Sequence, residues 1–533
     1  MTGSGFDLVI RGGEVYDGTG APAVRADVGV REGRISAVGD LSAASEVARV
    51  IDATGLAIAP GFVDIHTHSD VTLLVDPKAE SKVRQGVTLE VTGNCGTSAA
   101  PLGGFARQMM LDRYSALADA LDLDWESFDD YLRKLEDQGI SINTAALVGH
   151  GTVRQNVLGM ADRAPTDAEL REMQAVLARA LDGGGIGMST GLYYAPGSYA
   201  TTDEIVALGE VLRVHGKVYT SHIRDESNYS VGVLNAIEEA IAIGRRAGCR
   251  VQVSHLKLLG PPVWGQADQA LGLIDRARAE GIDVQADQYP YTASGSSITG
   301  SLIPRWAQAG GPEAMRRRLR DLDLRPRLEA EIRQNLYERR GGPDRLQIGL
   351  CVANPKYNGW TLAQAADDMG LDPVLTAMRL GERGGASLVC HVMTDADVDT
   401  IMRRPDVMVA SDGNALCPDG VLGLGRTHPR SYGTFPRVLG EYVRERRLVS
   451  LADAVRKMTT LPARQLGLTD RCQIAAGYWA DLVVFDPATV RDTATFDEPY
   501  RYPEGIPYVI VNGQVVIDAG EHTGARPGHV VRG

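Results

Sequence analysis

The residues of this chain that are best suited to chemistry are two histidines and a cysteine in its N-terminal part. His66 and His68 follow the apolar run 62–65, and Cys95 lies about thirty residues later in Gly93-Asn94-Cys95-Gly96. Side chains two residues apart on a strand point to the same side, so both imidazoles could reach one cation. Thiolate and imidazole are common ligands of Zn²⁺. The spacing therefore predicts a metal site at the end of a strand.

Residues of the same kinds end several apolar runs later in the chain. Strand-like runs that alternate with helical stretches lie at 145–150, 185–190, 218–222, 251–255, 284–287, 387–391 and 407–412. His222, His255 and Asp412 end three of these runs. Such alternation predicts parallel strands, and a (β/α)₈ barrel places its chemistry at the C-terminal ends of its strands. An open doubly wound sheet would show the same alternation, but it concentrates its site at one switch point. We therefore predict an α/β protein with a barrel.

The two ends of the chain differ from the middle in their pattern of apolar runs and turns. Residues 1–58 and 471–533 alternate short β-prone runs with turns, including the hairpin signal Asn512-Gly513. We expect these ends to form one small β-domain beside a barrel at 59–470. A charged, helix-prone segment at 303–346 interrupts the strand-helix rhythm and is predicted to be an insertion.

Composition excludes several classes of function. The 533 residues carry a net charge of −13 and no basic cluster, so nucleic acid is a poor candidate for a partner. No stretch has the apolar length of a membrane helix, and the N-terminus has no secretion signal, so we expect a soluble cytoplasmic protein. Six scattered cysteines do not describe a disulfide framework. The oligomeric state stays open.

Several motifs together resemble a known family. They are Pro60 to His68, Gly93 to Pro101, Ser189 to Gly197, Thr220 to Glu226, Val253 to Lys257, Asp287 to Ala293, Ser411-Asp412 and His428 to Arg437. This combination resembles the N-acyl-D-amino-acid deacylases (D-aminoacylases) of the metal-dependent amidohydrolase superfamily, nearly from end to end. The resemblance implies a distorted (β/α)₈ barrel with a small β-sandwich built from both termini. It also implies hydrolysis of N-acyl-D-amino acids to a carboxylate and a free amino acid.

The resemblance further implies a set of metal ligands and a general base. One firmly held Zn²⁺ would be bound by Cys95, His222 and His255, with a fourth position left for water. His66 and His68 would frame a second, weaker or empty site, so that one or two metals remain possible. Asp412 would act first as general base toward water and then as general acid toward the departing amine.

The substrate carboxylate needs cations and donors beside the scissile bond. By resemblance these are Lys257, Tyr289 and Arg430, with Tyr291 as an alternative to Tyr289. His150 is a further candidate for contact with the substrate or an oxyanion, although a packed structural histidine would look the same. The partner predicted by these residues is a small N-acyl amino acid.

Some features leave other readings open. Seventeen residues separate Asp412 from Arg430, more than in several D-aminoacylases, and this long loop at 413–430 would overhang the site. A cyclic amide or imide hydrolase, similar to hydantoinases or dihydroorotases, is the alternative enzyme, and a non-catalytic scaffold with the same barrel is a third hypothesis. An acidic side chain on the substrate would require another cation, for which Arg224 is a candidate.

Overall fold

The computed structural model describes residues 5–533, and its central feature is a set of eight parallel strand positions. In chain order these barrel strands 1 to 8 are Phe62–Asp64, Val87–Thr92, Asn143–Ala146 continued by Val148–Gly149, Gly187–Gly191, Val218–His222, Arg250–Val253, Val284–Gln288 and Val407–Val409. Each pairs in parallel with its neighbour in sequence order. Most of their residues are buried, as expected for strands covered on both faces.

Backbone hydrogen bonds just beyond the first and last strands close the ring. The backbone N–H of His68 donates to the carbonyl of Gly413 at 2.9 Å, and that of Asp412 donates to the carbonyl of His66 at 2.8 Å. Within strand 3, the N–H of Leu147 donates to Thr92 at 3.0 Å and connects its two halves to strand 2. The predicted (β/α)₈ barrel is therefore confirmed, and its closure places the segments of His66 and Asp412 side by side.

Both ends of the chain contribute to one nine-stranded sheet next to the barrel. Its strands are Leu8–Val15, Val24–Arg31, Arg34–Gly39, Val50–Asp52, Ala57–Pro60, Leu482–Phe485, Tyr508–Val511, Gln514–Asp518 and Glu521–His522. The N-terminal strand Ala57–Pro60 pairs antiparallel with the C-terminal strand Leu482–Phe485. This pairing confirms that the two ends form one β-unit. The exact boundaries at 58/59 and 470/471 stay a prediction.

The helices pack around the barrel and connect its strands. They are Thr72–Val75, Glu80–Val83, Gly104–Arg113, Phe128–Gln138, His150–Leu158, Asp167–Asp182, Thr202–His215, Val233–Ala247, Ala267–Ala279, Ile298–Ser301, Pro312–Arg320, Arg325–Gln334, Leu362–Met369, Pro373–Glu382, Asp395–Met402, Arg430–Arg437, Leu451–Met458 and Thr460–Leu466. No helix within residues 5–533 combines the length and apolar character needed to cross a membrane.

Helix ends show how local sequence sets up the site. The helix Thr202–His215 begins at Thr201, whose hydroxyl accepts a hydrogen bond from the backbone N–H of Glu204. It ends at Gly216, whose φ of 67° is unfavourable for other residues. Barrel strand 5 starts two residues later and ends at His222. Two capping signals therefore fix where this histidine emerges from the barrel.

The chain between barrel strands 7 and 8 forms a separate structural layer. Its helices Pro312–Arg320 and Arg325–Gln334 fall in the segment predicted to be an insertion, and they contribute to a hydrophobic cluster distinct from the barrel core. The run at 387–391 was expected to behave as a parallel strand, and this expectation was wrong. Ser387–Cys390 pairs antiparallel with Ser294–Ser297 and Leu346–Ile348. The reason is that this strand pairs with two other strands of the same layer and not with a barrel strand.

Candidate active site

Cys95 is held in a tight turn after barrel strand 2. Gly93 and Gly96 have φ angles of 75° and 76°, and a Cβ added to them would lie 2.0 Å from the carbonyl oxygen of Leu147 and 2.5 Å from the nitrogen of Gly191. Only glycine fits such approaches. The Gly-Asn-Cys-Gly pattern therefore reflects the space available where the thiol enters the barrel mouth.

Three of the predicted site residues share an uncommon backbone conformation. Cys95, His255 and Asp412 have φ angles of 53°, 37° and 51°. Non-glycine residues with positive φ are rare and cluster at sites where the surrounding structure holds a side chain in a required position. Three of the nine non-glycine residues with positive φ among residues 5–533 are thus predicted site residues.

The barrel brings four of the five predicted metal-binding side chains into two overlapping groups, and His68 lies in neither. Ligand atoms of His66, Cys95, His255 and Asp412 all lie within 4.8 Å of one another, and Cys95 Sγ is 3.3 Å from Nε2 of both His66 and His255. The second group consists of His222, Glu226 and His255. The predicted trio of Cys95, His222 and His255 is therefore divided between two groups that share His255.

His222 has the environment of an unused ligand. Its side chain is buried, and neither ring nitrogen has a hydrogen-bond partner among the residues that the structure describes. Its Nε2 lies 3.5 Å from the carboxylate of Glu226, and its ring is 4.4 Å from that of His255 between centroids. A buried imidazole normally finds partners, so these nitrogens fit a metal ion.

Burial and neighbouring charges set the protonation of the donor groups. Burial lowers the pKa of His66 and that of His222 well below the usual histidine value, so both rings are neutral near pH 7, the form that binds metal. Burial, reinforced by the charge of Asp412, raises the pKa of the Cys95 thiol well above its usual value. A bound divalent cation would stabilise the thiolate and displace this proton.

Asp412 stands between the histidines and a buried cation. Its Oδ1 lies 3.0 Å from Nε2 of His68 and 3.6 Å from Nε2 of His66, and its Oδ2 accepts a hydrogen bond from Arg430 at 2.8 Å. Burial opposes ionisation of this carboxyl, but Arg430 and then His255 outweigh it, so the pKa of Asp412 lies well below its usual value. Asp412 is therefore an ionised proton acceptor at the metal-donor cluster.

The predicted carboxylate-binding residues line the same space. Tyr289 is buried, and its ring lies 5.0 Å from the guanidinium carbon of Arg430 and 5.7 Å from Nζ of Lys257. The alternative, Tyr291, instead stacks under Arg437, whose Cζ is 4.9 Å from its ring. The geometry thus favours Tyr289 over Tyr291.

His150 lies in a different set of contacts. Its Nε2 is 2.9 Å from Oε1 of Glu204, which also accepts hydrogen bonds from the buried Arg154. These contacts connect the start of the helix His150–Leu158 to the start of the helix Thr202–His215. The structure brings His150 into none of the donor groups described above, and a structural role accounts for its contacts.

Sequence reasoning missed two carboxylates that support the donor cluster. Glu226 lies four residues after His222 and accepts a hydrogen bond from Nζ of Lys257, while its Oε1 is 3.2 Å from Nδ1 of His255. Asp287 accepts a hydrogen bond from the backbone N–H of His255 at 2.8 Å. Both carboxylates occur in the family motifs quoted in the sequence analysis. Their closeness to a predicted ligand histidine was the signal that could have identified them.

The loop after Asp412 is anchored at both ends. The backbone N–H groups of Ala415 and Leu416 donate to the hydroxyls of Ser69 and Ser81 at 2.7 and 2.8 Å. Farther along, the N–H of Arg426 donates to the carbonyl of Gly349 in the layer between strands 7 and 8. The long connection thus runs from the barrel mouth to that layer.

Comparison with known proteins agrees with this architecture. Residues 49–517 match the model of the amidohydrolase family. The chain belongs to the amidohydrolase family. It is 41% identical to an N-acyl-D-glutamate deacylase and 39% identical to a D-aminoacylase, both of Alcaligenes xylosoxydans xylosoxydans; each match covers 99% of this chain and 96% or 97% of the relative.

A solved amidohydrolase structure shows the same fold at similar identity. It is the N-acyl-D-glutamate deacylase of Bordetella bronchiseptica, complexed with zinc and a phosphonate that mimics the tetrahedral intermediate of its reaction. This chain superimposes on it with a TM-score of 0.83 and 39% identity, over 99% of this chain and 100% of that one. The resemblance to the deacylases of this amidohydrolase family is thereby confirmed.

Proposed function

We propose that this amidohydrolase hydrolyses the amide bond of N-acyl-D-amino acids and releases a carboxylate and a free D-amino acid. The observation that carries the proposal is the position of Asp412, an ionised carboxylate 3.0 Å from His68 and beside the donors Cys95 and His255. The related deacylases support the substrate class. Unlike an N-acyl amino acid, a hydantoin carries no carboxylate that the buried cations Lys257 and Arg430 could bind.

Cys95, His222 and His255 are the residues we propose to hold zinc. The unpartnered nitrogens of His222 and the short distance from Cys95 Sγ to His255 Nε2 fit such an ion. Nδ1 of His255 lies 2.7 Å from Nζ of Lys257 and 3.2 Å from Oε1 of Glu226, so both groups orient this ring while its Nε2 faces Cys95. When bound, zinc polarises the amide carbonyl and acidifies water.

Asp412 then performs both proton transfers. It takes a proton from the attacking water as the oxygen bonds to the carbonyl carbon. It returns that proton to the nitrogen as the C–N bond breaks, so that the amine leaves neutral. The position of Asp412 at the donor cluster suits it to both steps, because the attacked carbon and the departing nitrogen are adjacent atoms.

The α-carboxylate of the substrate is held by Arg430, Lys257 and Tyr289. Gly295 leaves room for this contact, because a Cβ there would lie 2.7 Å from a terminal nitrogen of Arg430. A guanidinium can present two parallel N–H groups to a carboxylate, and the ammonium and phenol add further donors. This arrangement would orient the scissile amide toward Asp412.

The test is release of amine from matched N-acetyl-D and N-acetyl-L amino acids by zinc-loaded protein, with hydantoin as a cyclic substrate. We expect hydrolysis of D substrates and none after Asp412→Asn, with the zinc content unchanged. Hydrolysis of hydantoin but of no N-acetyl amino acid would replace the proposal with the cyclic-amide alternative. Bound zinc without turnover of any substrate would favour the scaffold hypothesis.

A further inference from the structure

Three consecutive backbone N–H groups around Asp412 each have a different hydrogen-bond acceptor. The N–H of Ser411 donates to Oδ1 of Asp64 at 2.8 Å. The N–H of Asp412 donates to the carbonyl of His66 at 2.8 Å. The N–H of Gly413 donates to Oγ of Ser411 at 3.0 Å. These bonds hold both peptide units that flank Asp412, so the direction in which its side chain leaves the backbone is fixed.

The backbone conformation of Asp412 requires such support. Its φ of 51° lies in the left-handed region, which a residue other than glycine adopts at a cost in free energy. Conformations of this kind persist where the surrounding structure over-determines them. Two of the three acceptors around Asp412 are side-chain groups, those of Asp64 and Ser411, so single substitutions can remove them.

The two side-chain acceptors are connected by Lys82. Its Nζ donates to Oδ2 of Asp64 at 2.8 Å and to Oγ of Ser411 at 2.7 Å. Oγ of Ser411 in turn donates to Oδ2 of Asp64, and it also accepts the N–H of Gly413. The serine hydroxyl thus makes the one donor bond and the two acceptor bonds that a hydroxyl can form. We refer to Lys82, Asp64 and Ser411 as the Lys82 cluster.

The Lys82 cluster joins three parts of the barrel. Asp64 ends barrel strand 1, Lys82 lies in the helix Glu80–Val83 between strands 1 and 2, and Ser411 follows strand 8. All three residues are 0% exposed. Because no part of Lys82 is exposed, it acts on the reaction through its neighbours rather than by contact with a substrate.

A buried charged cluster is better suited to fixing geometry than to adding stability. Burial of an ion pair costs desolvation energy, and apolar side chains of similar volume often give equal or higher stability. Charge-assisted hydrogen bonds are short and directional, so they specify the positions of the groups that they join. Ser81 provides a contrast in the same region, because its hydroxyl bonds to the N–H of Leu416 and the carbonyl of Asn414, which are backbone groups beyond Asp412.

We propose that Lys82, Asp64 and Ser411 are positioning residues that direct the carboxylate of Asp412 toward its two proton transfers. The inference rests on the proposed deacylase function. Arg430 holds the carboxylate of Asp412 through Oδ2, and the Lys82 cluster holds the backbone from which that side chain starts. Because the cluster is fully buried, its loss should lower kcat and leave KM nearly unchanged.

The first test removes the serine hydroxyl and keeps the ion pair. Ser411→Ala should lower kcat by roughly 10- to 100-fold for the N-acetyl-D-amino acid that the parent hydrolyses fastest, because a small displacement of a catalytic group has effects of this size. We expect KM within about threefold of the parent value and an unchanged zinc content. Ser81→Ala is the matched control, and its kcat should stay within about threefold of the parent value. Equal kcat in Ser411→Ala and Ser81→Ala would overturn the inference.

The second test separates positioning from stability. Lys82→Met should lower kcat by a similar factor, measured at a temperature where the variant is folded. Adding Asp64→Asn removes the uncompensated charge, so the melting temperature should rise again while kcat stays low. Recovery of kcat together with the melting temperature would show that the cluster only stabilises the fold. If Lys82→Met does not fold, Ser411→Ala decides the question by itself, since it retains the ion pair.

The remaining outcomes separate this inference from the proposed function. Loss of zinc from Ser411→Ala would assign the cluster to the metal site rather than to Asp412 and would overturn the inference. A raised KM with unchanged kcat would do the same, because it would indicate a contribution to substrate binding. Failure of the zinc-loaded parent to hydrolyse any N-acetyl-D-amino acid would instead reject the deacylase function itself.

Discussion

Arg430 donates a hydrogen bond to Oδ2 of Asp412 at 2.8 Å, and both side chains are buried at the barrel mouth. One cation thus stabilises the proposed general base and also binds the substrate carboxylate in our proposal. Because it serves both groups, its loss should affect substrate binding and turnover together. Measuring both KM and kcat of an Arg430 variant therefore distinguishes a catalytic role for Arg430 from a purely structural one.

We predict that Arg430→Met lowers kcat and raises KM, with kcat/KM reduced by roughly 100-fold or more, since a buried carboxylate loses its partner and the substrate loses a bidentate contact. Arg430→Lys should restore part of the loss. Arg437→Met, on the same helix but paired with Asp492, is the control and should leave kcat/KM close to the parent value. Steady-state kinetics over a range of N-acetyl-D-amino acid concentrations check this, and an unchanged KM in Arg430→Met would contradict it.

The two overlapping donor groups lead to a prediction about zinc content. If Cys95, His222 and His255 hold the tight ion, then Cys95→Ser and His222→Ala should lose it, while His66→Ala should retain it. Cys249→Ser is the control and should bind as much zinc as the parent, because Cys249 is buried and belongs to neither donor group. Mass spectrometry of the metal content after dialysis against a chelator measures this. Retention in His222→Ala with loss in His66→Ala would assign the ion to the other group.

The buried ion pair behind Asp412 should be important for stability. Nζ of Lys82 donates to Asp64 at 2.8 Å and to the hydroxyl of Ser411 at 2.7 Å, next to Asp412 in the chain. Lys82→Met would leave the Asp64 carboxylate buried and unpaired, so we expect a loss of about 3–5 kcal/mol in the free energy of unfolding.

Chemical denaturation measures this effect, and a surface pair provides the comparison. Lys134→Met removes the partner of Asp124, which is 55% exposed, and should cost less than about 1 kcal/mol. Adding Asp64→Asn to Lys82→Met should recover part of the stability, because the uncompensated charge is removed. A cost for Lys82→Met as small as that for Lys134→Met would contradict the prediction.

Lys457 should make stability depend on pH. Its ammonium is buried and donates to the carbonyls of Met402 and Arg404, and burial lowers the pKa of Lys457 from 10.5 to about 7. Between these values the unfolded chain is protonated and the folded one is not, so stability rises with pH by up to about 1.4 kcal/mol per pH unit from this residue. Below about pH 7 both states are protonated, and the full penalty is present.

Lys457→Met removes this ionisable group and tests the effect. We expect the variant to gain most over the parent below pH 7, and the gain to shrink as the pH rises toward 10. Denaturant unfolding at a series of pH values measures the difference, with the exposed Lys78→Met as control. A difference between Lys457→Met and the parent that stays constant from pH 6 to pH 10 would contradict the shifted pKa.

The sequence by itself determined much of the architecture and the chemical types at the site. Apolar runs that end in His or Asp predicted barrel strands 5 and 7 and the strand before Asp412, because hydrophobic periodicity and strand-end chemistry are local properties. The sequence also predicted the Gly-Asn-Cys-Gly turn and the β-strands at both ends of the chain. It did not predict the antiparallel direction of Ser387–Cys390, since strand direction depends on a partner far away in the chain.

Only the tertiary structure decided which charges meet. Arg224 donates to the carboxylate of Glu239, whereas Arg340 donates to the hydroxyls of Tyr229 and Tyr193. His255 likewise belongs to both donor groups, and Asp412 has a positive φ, neither of which follows from residue types. The physical reason is that ion pairing depends on which segments fold against each other, and residue types and spacing do not specify this.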